Sequence, residues 1–256
     1  LITNGVALGP PKISMGSAAN YLLLASNGIS IDCSQAIEGG NVGLTEQTSD
    51  GVLGVNLTLD SSEVFASWFN IPQVYPGTFF APDYLSPTPD QMSAAAADVA
   101  NAFQDGKGRT NPDFTNFGND GIFANLMSVT GTLDGLTLTP GLYKWTTNVK
   151  STSTNVGITL SGSPVDTWIF QISGNLVLSG APVNLHGGAS PNNIFWVISG
   201  DLSIGTDMPG TVIVRNDVTY TIPGSGMAQG RLYCMNSVNT MGGFVGPLLS
   251  VTAAFL

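Results

Sequence analysis

The chain has 256 residues, of which only 9% are charged, and 17 Asp and Glu against 7 Lys and Arg give a formal net charge of −10. So few cations cannot neutralise a phosphate backbone or an anionic lipid surface, which excludes nucleic-acid binding and disfavours membrane association. The hydrophobic content of 43% is enough for a packed core, yet no apolar run reaches the roughly 18 residues of a membrane-spanning helix.

The first third of the chain is its least regular part. Its opening, Leu1-Ile2-Thr3-Asn4-Gly5, has no cationic region, so any signal peptide is expected to have been removed already. Residues 45–87 are rich in Pro, Phe and Tyr with poor periodicity, and we predict that they form one further coil and an irregular cap over an open sheet edge. Within them, Asn56-Leu57-Thr58 is a predicted acceptor for N-glycosylation.

One helix follows this segment. In Thr88-Pro89-Asp90-Gln91, Thr88 is the predicted N-cap, Pro89 the first helical residue, and Gln91 the residue that closes a capping box. Helical spacing then relates Met92, Ala95, Ala96, Val99 and Phe103, and Gly106 and Gly108 end the pattern. We predict a helix at about 89–106, rich enough in Ala to lie close against a sheet.

The main part of the chain, about 141–245, alternates strands with Gly, Pro, Ser and Asn turns, and it contains an internal repeat. The segment 168–174, Trp-Ile-Phe-Gln-Ile-Ser-Gly, returns 26 residues later as Ile-Phe-Trp-Val-Ile-Ser-Gly. Self-similarity at this period is typical of stacked coils.

The strands of this stack fall into two classes. Those that are apolar throughout must be covered on both faces, and they lie at 168–172, 194–198, 211–214 and 231–234. The others alternate, as where Leu176 and Leu178 point away from Asn175, Val177 and Ser179. One covered and two half-exposed strands per repeat predict an all-β dominated fold, a parallel β-helix of triangular cross-section. We expect a single domain over 1–256, with the helix packed along the covered face.

Catalytic motifs are missing from the sequence. His186 is the only histidine and alternation turns it outward, and neither a nucleophile elbow nor a zinc-binding motif occurs. The enzyme alternative is a polysaccharide lyase or hydrolase, because β-helices often carry such sites. Either would need clustered carboxylates, whereas Asp166, Asp201, Asp207 and Asp217 are isolated or flank turns. We therefore predict no enzyme, no metal and no cofactor.

Several segments together resemble the secreted microbial ice-binding (antifreeze) proteins. They are Gly16-Ser-Ala-Ala-Asn-Tyr-Leu-Leu-Leu-Ala25, Arg109-Thr-Asn-Pro-Asp113, Leu138-Thr-Pro-Gly-Leu-Tyr-Lys-Trp145, Asp166-Thr-Trp-Ile-Phe-Gln-Ile172, Asn193-Ile-Phe-Trp196 and Ala228-Gln-Gly-Arg231. The resemblance implies a secreted protein with a right-handed β-helix, a helix alongside it, and the N-terminal coil placed against the C-terminal coil. That placement would bring Cys33 and Cys234 into one region. From the residues alone, two free thiols and a disulfide are equally good interpretations of Cys33 and Cys234. The resemblance favours the disulfide.

The resemblance also implies a monomer that binds an ice crystal surface, producing thermal hysteresis and inhibiting ice recrystallisation. We predict that the ice-binding face follows the covered strands and bears Asn27, Ser30, Thr147, Asn175, Val177, Ser179, Asp201, Ser203, Thr219, Thr221, Ser237 and Asn239. The other exposed face, with Thr159, Ser161, Asn184 and His186, is the alternative surface. The alternative function is a carbohydrate-binding or adhesion module that uses the same flat face.

Overall fold

The computed structural model describes residues 6–31, 37–38, 40–69, 77–118, 131–220, 230–240 and 244–245. The first strands in chain order are β1 (Tyr21–Ala25), β2 (Gly28–Ile31), β3 (Ile37–Glu38), β4 (Asn41–Leu44), β5 (Val52–Leu53), β6 (Asn56–Leu59), β7 (Ala66–Phe69), β8 (Gly77–Phe80), β9 (Phe114–Thr115), β10 (Gly131–Thr132), β11 (Thr137–Leu138) and β12 (Gly141–Trp145). They continue as β13 (Val149–Ser151), β14 (Thr159–Ser161), β15 (Trp168–Ile172), β16 (Leu176–Leu178), β17 (Asn184–His186), β18 (Ile194–Ile198), β19 (Leu202–Ile204), β20 (Gly210–Val214), β21 (Val218–Tyr220), β22 (Gly230–Cys234), β23 (Ser237–Thr240) and β24 (Phe244–Val245). The helix α1 spans Thr88–Gly108, and short 3-10 helices lie at Gly16–Asn20, Ser49–Gly51 and Pro191–Asn193.

Three sheets form the sides of the coil. The first sheet is 11-stranded, in the order β6-β7-β8-β4-β1-β22-β20-β18-β15-β12-β9. The second is 8-stranded, in the order β10-β13-β16-β19-β21-β23-β2-β5, and the third consists of β11-β14-β17. Pairing is parallel throughout these sheets except at β6-β7 and β7-β8, which are antiparallel. The fold is a right-handed parallel β-helix of triangular cross-section, as the sequence predicts.

The internal sequence repeat matches the register in which adjacent coils pair. Trp168 pairs with Ile194 and Ile172 pairs with Ile198, so each residue of β15 lies beside the residue 26 positions later in β18. The same offset relates β16 to β19, where Leu176 pairs with Leu202. One coil of the helix therefore takes 26 residues at this point.

The N-terminal coil packs against the C-terminal coil of the stack. Leu23 of β1 pairs with Leu232 of β22, and Ile29 of β2 pairs with Val238 of β23. This confirms the placement of the first coil against the last. Strands β4 and β5 then add a further coil beside β1 and β2, and the antiparallel strands β6, β7 and β8 extend the first sheet beyond it.

Large aromatic side chains fill the interior of the coil. The rings of Trp145, Phe170 and Trp196 come from successive coils, and the Phe170 and Trp196 ring centroids are 4.0 Å apart in a stacked arrangement. Each indole N–H reaches a backbone carbonyl, as between Trp196 Nε1 and Pro209 O at 3.0 Å. The polar atom of each ring is therefore satisfied inside an apolar core.

Helix α1 covers the outer side of the first sheet. Its buried face includes Met92, Val99 and Phe103, which belong to one apolar cluster with Ile169 and Val197 of the sheet. The strands β15, β18 and β20 are consequently buried on both sides, which explains why their sequences are apolar throughout.

The predicted capping box at the start of α1 is wrong. Pro87 occupies the N-cap position, no side chain caps the helix, and the Thr88 hydroxyl donates a hydrogen bond to Val64 O of the neighbouring segment. The helix ends at Gly108, the second of the two predicted stop glycines and two residues beyond the predicted bound of 106. Gln171 Nε2 of the sheet donates to Gly106 O at 2.6 Å and to Arg109 O at 2.9 Å, so a sheet side chain satisfies carbonyls at the helix end.

Within the described ranges, no helix has both the length and the apolar character that crossing a membrane requires.

Candidate functional site

The outward side of the second sheet carries one continuous row of side chains, which we call the central column. The strand register places each member beside the next on adjacent coils. In order along the stack the members are Thr132, Lys150, Val177, Ser203, Thr219, Asn239, Ser30 and Leu53. Adjacent parallel strands lie ~4.8 Å apart, so the column repeats at that interval.

Alternation along each strand explains why these residues face outward. Their sequence neighbours Leu176, Leu202, Val218 and Val238 are buried in the interior of the coil. Ile29, beside Ser30, is also buried at 1% exposure, so Ser30 lies on the outer side as predicted.

Most side chains of the central column are small and uncharged. Thr219 and Asn239 are exposed, and Val177, Ser203 and Ser30 are half-buried. Half-buried Thr132 forms one end, Lys150 brings a charge next to it, and Leu53 is 61% exposed at the other end. The predicted face lacked Thr132, Lys150 and Leu53, although the alternation of Val149-Lys150-Ser151 was a usable signal for Lys150.

A second row of polar side chains, the corner ladder, runs along the edge where the chain enters the second sheet. Each of its side chains accepts a hydrogen bond from the backbone N–H of the corresponding residue one coil further on. Asn148 Oδ1 accepts from Asn175 N at 2.9 Å and Asn175 Oδ1 from Asp201 N at 2.9 Å. Asp201 Oδ1 accepts from Asp217 N at 3.4 Å and Asp217 Oδ1 from Ser237 N at 3.2 Å.

The corner ladder changes the interpretation of two predicted site residues. Asn175 and Asp201 are exposed, but one oxygen of each is committed to holding the next coil in register. Asn148 and Asp217 make the same kind of hydrogen bond but were not among the predicted site residues. All four residues directly precede an alternating strand. The ladder lies beside the central column without being part of it.

The remaining predicted residues lie around the central column. Ser179 is exposed just after β16, and Ser237 is half-buried at the start of β23. Asn27 and Thr147 lie at corners before β2 and β13, where Asn27 Nδ2 donates to Asn236 Oδ1 at 2.5 Å and Thr147 Oγ1 to Asn148 O at 3.3 Å. Thr221 lies outside the described residues.

Comparison with known proteins identifies the family. Residues 23–243 match the model of the ice-binding-like family. The chain belongs to the ice-binding-like family. It is 35% identical over 221 residues to ice-binding protein K3-B1 of Typhula ishikariensis, covering 85% of this chain and 83% of that protein. It is 36% identical over 234 residues to the ice-binding protein of Flavobacterium frigoris (strain PS1), covering 88% and 73%.

A solved structure shares the fold of this ice-binding-like chain. The antifreeze ice-binding protein LeIBP from an Arctic yeast superimposes with a TM-score of 0.79 at 31% sequence identity, over 92% of this chain and 94% of that one.

The third sheet offers a smaller polar surface. Thr159 is half-buried and Asn184 and His186 are exposed on its outer side, so His186 is a surface histidine as predicted. The sheet is 3-stranded, against 8 strands in the second sheet. The second sheet therefore gives the longer regular array.

The aspartates that anchor turns have the wrong electrostatics for general acid catalysis. Burial acts to raise the pKa of Asp166, but hydrogen bonds from Leu8 N and Ser163 N outweigh it and the pKa is lowered. Burial also acts to raise the pKa of Asp134, but hydrogen bonds from the Ser151 hydroxyl and from Ser153 N outweigh it, so the pKa of Asp134 is lowered. A catalytic carboxylic acid needs a raised pKa. Across the part of the chain that the structure covers, no group of three His, Cys, Asp or Glu could hold a metal ion.

Cys234 is buried at 3% exposure at the end of β22. Its Sγ lies 3.0 Å from Asn216 O and 3.3 Å from Ser237 O, and burial raises the pKa of the thiol to about 12. Cys33 lies outside the described residues, so a bond between the two cysteines stays a prediction.

Proposed function

We propose that this chain is a secreted, monomeric ice-binding protein that adsorbs to ice through the outward side of the second sheet. The observation that carries the proposal is the central column, a straight row of small side chains on a regular parallel sheet in a chain of the ice-binding-like family. Adsorbed molecules would force the ice front to curve between them, which depresses the freezing point and inhibits recrystallisation.

The geometry suits an ordered water layer. Strands ~4.8 Å apart, with outward residues ~6.6 Å apart along each strand, give a two-dimensional array at spacings comparable to those in ice planes. Hydroxyl, amide and methyl groups order water without the tight hydration shells of charges. Thr219 is β-branched, so its side chain loses little rotamer freedom on adsorption.

Neither catalysis nor a cofactor is needed for this function. A carbohydrate-binding surface normally presents aromatic rings to the sugar, and of the aromatic side chains that the structure describes only Phe117 is clearly exposed, at 39%. Phe117 follows β9 of the first sheet, away from the central column. These observations favour ice over a glycan as the partner.

The decisive experiment places a large side chain on the column. Thr219→Tyr should remove most of the thermal hysteresis and recrystallisation inhibition, because the ring lifts the flat sheet off the ice. Thr159→Tyr makes the same change on the third sheet and should leave both activities near those of the unaltered protein. Thermal unfolding of both variants checks that the fold survives. Full activity in a folded Thr219→Tyr variant, or equal losses in both, would show that the wrong face was chosen.

A further inference from the structure

Strand β6 leaves an open sheet edge at one end of the molecule. It is the terminal strand of the first sheet, paired with β7 on one side and with no strand on the other in the part of the chain that is described. Such an edge can pair with the edge of a second molecule, and proteins usually protect it with charge, proline or a bulge. The strand is Asn56-Leu57-Thr58-Leu59, which contains none of these protections, and the first charged residue is Asp60 in the following turn.

We propose that Asn56 is an N-glycosylation site whose glycan shields this edge strand. Asn56 is the first residue of β6 and is exposed, and Thr58, the hydroxyl residue of the sequon, is exposed on the same side of the strand. No side-chain hydrogen bond holds the Asn56 amide among the described residues. The amide nitrogen is therefore free to carry a substituent without loss of a native contact.

The modification is the ordinary transfer reaction of a eukaryotic secretory pathway, and it rests on the secretion proposed above. The donor is an oligosaccharide linked to a lipid diphosphate. A bond forms between Asn56 Nδ2 and the anomeric carbon of the oligosaccharide, and the bond from that carbon to the diphosphate oxygen breaks. The lipid diphosphate leaves with the electron pair, and Nδ2 loses one proton.

The position of the glycan is compatible with adsorption to ice. β5 belongs to the second sheet, and the chain passes through Gly54 and Val55 before β6 joins the first sheet. The glycan starts within about 11 Å of Leu53, at the end of the central column. Thr219 lies three strands away from Leu53, about 14 Å along the stack. A glycan here occupies the end of the molecule and leaves the middle of the column open.

The test uses the full chain produced in a eukaryotic secretory host. Intact mass before and after enzymatic removal of N-glycans measures occupancy, with Thr58→Ser keeping the sequon and Thr58→Ala destroying it. Light scattering during size exclusion, over a range of concentrations, measures self-association. A third variant, Asn56→Lys, cannot be glycosylated but places a positive charge on the edge.

We expect the unaltered chain and Thr58→Ser to be glycosylated and monomeric. Thr58→Ala should carry no glycan and self-associate at least about tenfold more tightly, the change that one or two edge hydrogen bonds would bring. The Asn56→Lys variant should be monomeric, because its positive charge protects the edge in place of the glycan. An unoccupied Asn56 overturns the site. A folded Thr58→Ala that stays monomeric, or an Asn56→Lys that associates as strongly, overturns the shielding role.

These readouts do not involve ice. Loss of the glycan from Asn56 should leave thermal hysteresis per molecule unchanged, so a failure of the proposed ice binding and a failure of the glycan proposal give different results.

Discussion

Replacing Asp201 by Asn should stabilise the protein, because it keeps the corner ladder and removes a like-charge contact within it. Asp201 and Asp217 are neighbours on adjacent coils, and both carboxylates accept hydrogen bonds along the same row. The two bonds accepted by asparagines in the ladder are 2.9 Å long, whereas those accepted by the aspartates are 3.4 and 3.2 Å. An asparagine at 201 supplies the same Oδ1 acceptor without the charge.

The size of the gain follows from the spacing of the coils. Two unit charges ~4.8 Å apart repel by about 0.9 kcal/mol in water. Because both residues are exposed, the water limit applies and the gain should be at most about 1 kcal/mol. For a chain of this length that corresponds to a rise in Tm of about 2–4 °C at low ionic strength. The Debye length falls to about 3 Å in 1 M salt, so most of the gain should vanish there.

Thermal unfolding followed by circular dichroism, in low salt and in 1 M salt, measures the effect. Asp90→Asn is the matched control, since Asp90 is an exposed carboxylate in the first turn of α1. Its neutralisation should lower stability by about 0.3–1 kcal/mol through the helix dipole, the opposite sign. If Asp201→Asn lowered Tm, or raised it equally in both salt concentrations, repulsion within the ladder would not be the cause.

Two further predictions concern buried polar groups. Gln171→Leu removes the donor to Gly106 O and Arg109 O, and should cost about 1–3 kcal/mol in denaturant unfolding, partly offset because Gln171 Oε1 is itself buried without a partner among the described residues. Stability should also fall as pH rises above about 9. Burial raises the pKa of Tyr233 above its ordinary 10.0 and, where the Cys234 thiol is free, that of Cys234 from 9.0 to about 12. The unfolded chain therefore releases these protons first, and Tm measured from pH 8 to 11 should decrease.

Much of the fold could be predicted because its repeat is written in the sequence. The offset between residues 172 and 198 is the register of β15 against β18, and strands that are apolar throughout lie where α1 covers the first sheet. The antiparallel strands β6, β7 and β8 could not be derived in this way. They carry no repeat, and their pairing depends on contacts that local periodicity does not encode.

The capping of α1 shows how tertiary contacts override a local motif. Thr88 has the side chain and the spacing to Gln91 of a capping box. Its hydroxyl instead reaches Val64 O, a carbonyl of another segment, which no local sequence pattern could reveal. The helix begins one residue earlier than a Thr88 cap would place it, with Pro87 in the cap position.

The sequence predicted which face of the sheet carries the candidate site. It did not predict which residues of that face form the central column and which form the corner ladder. Alternation placed Val177, Ser203 and Thr219 on one surface, and the register brings them into one column. Alternation alone also assigns Asn175 and Asp201 to that surface, since each lies two residues before a column member. The hydrogen bond from one coil to the next depends on which residues the strand register places side by side. The 26-residue repeat predicts that register only for Asn175 and Asp201. An Asn or Asp recurring at a repeat period just before an alternating strand therefore indicates a ladder that holds coils in register, and the contact surface begins two residues further on.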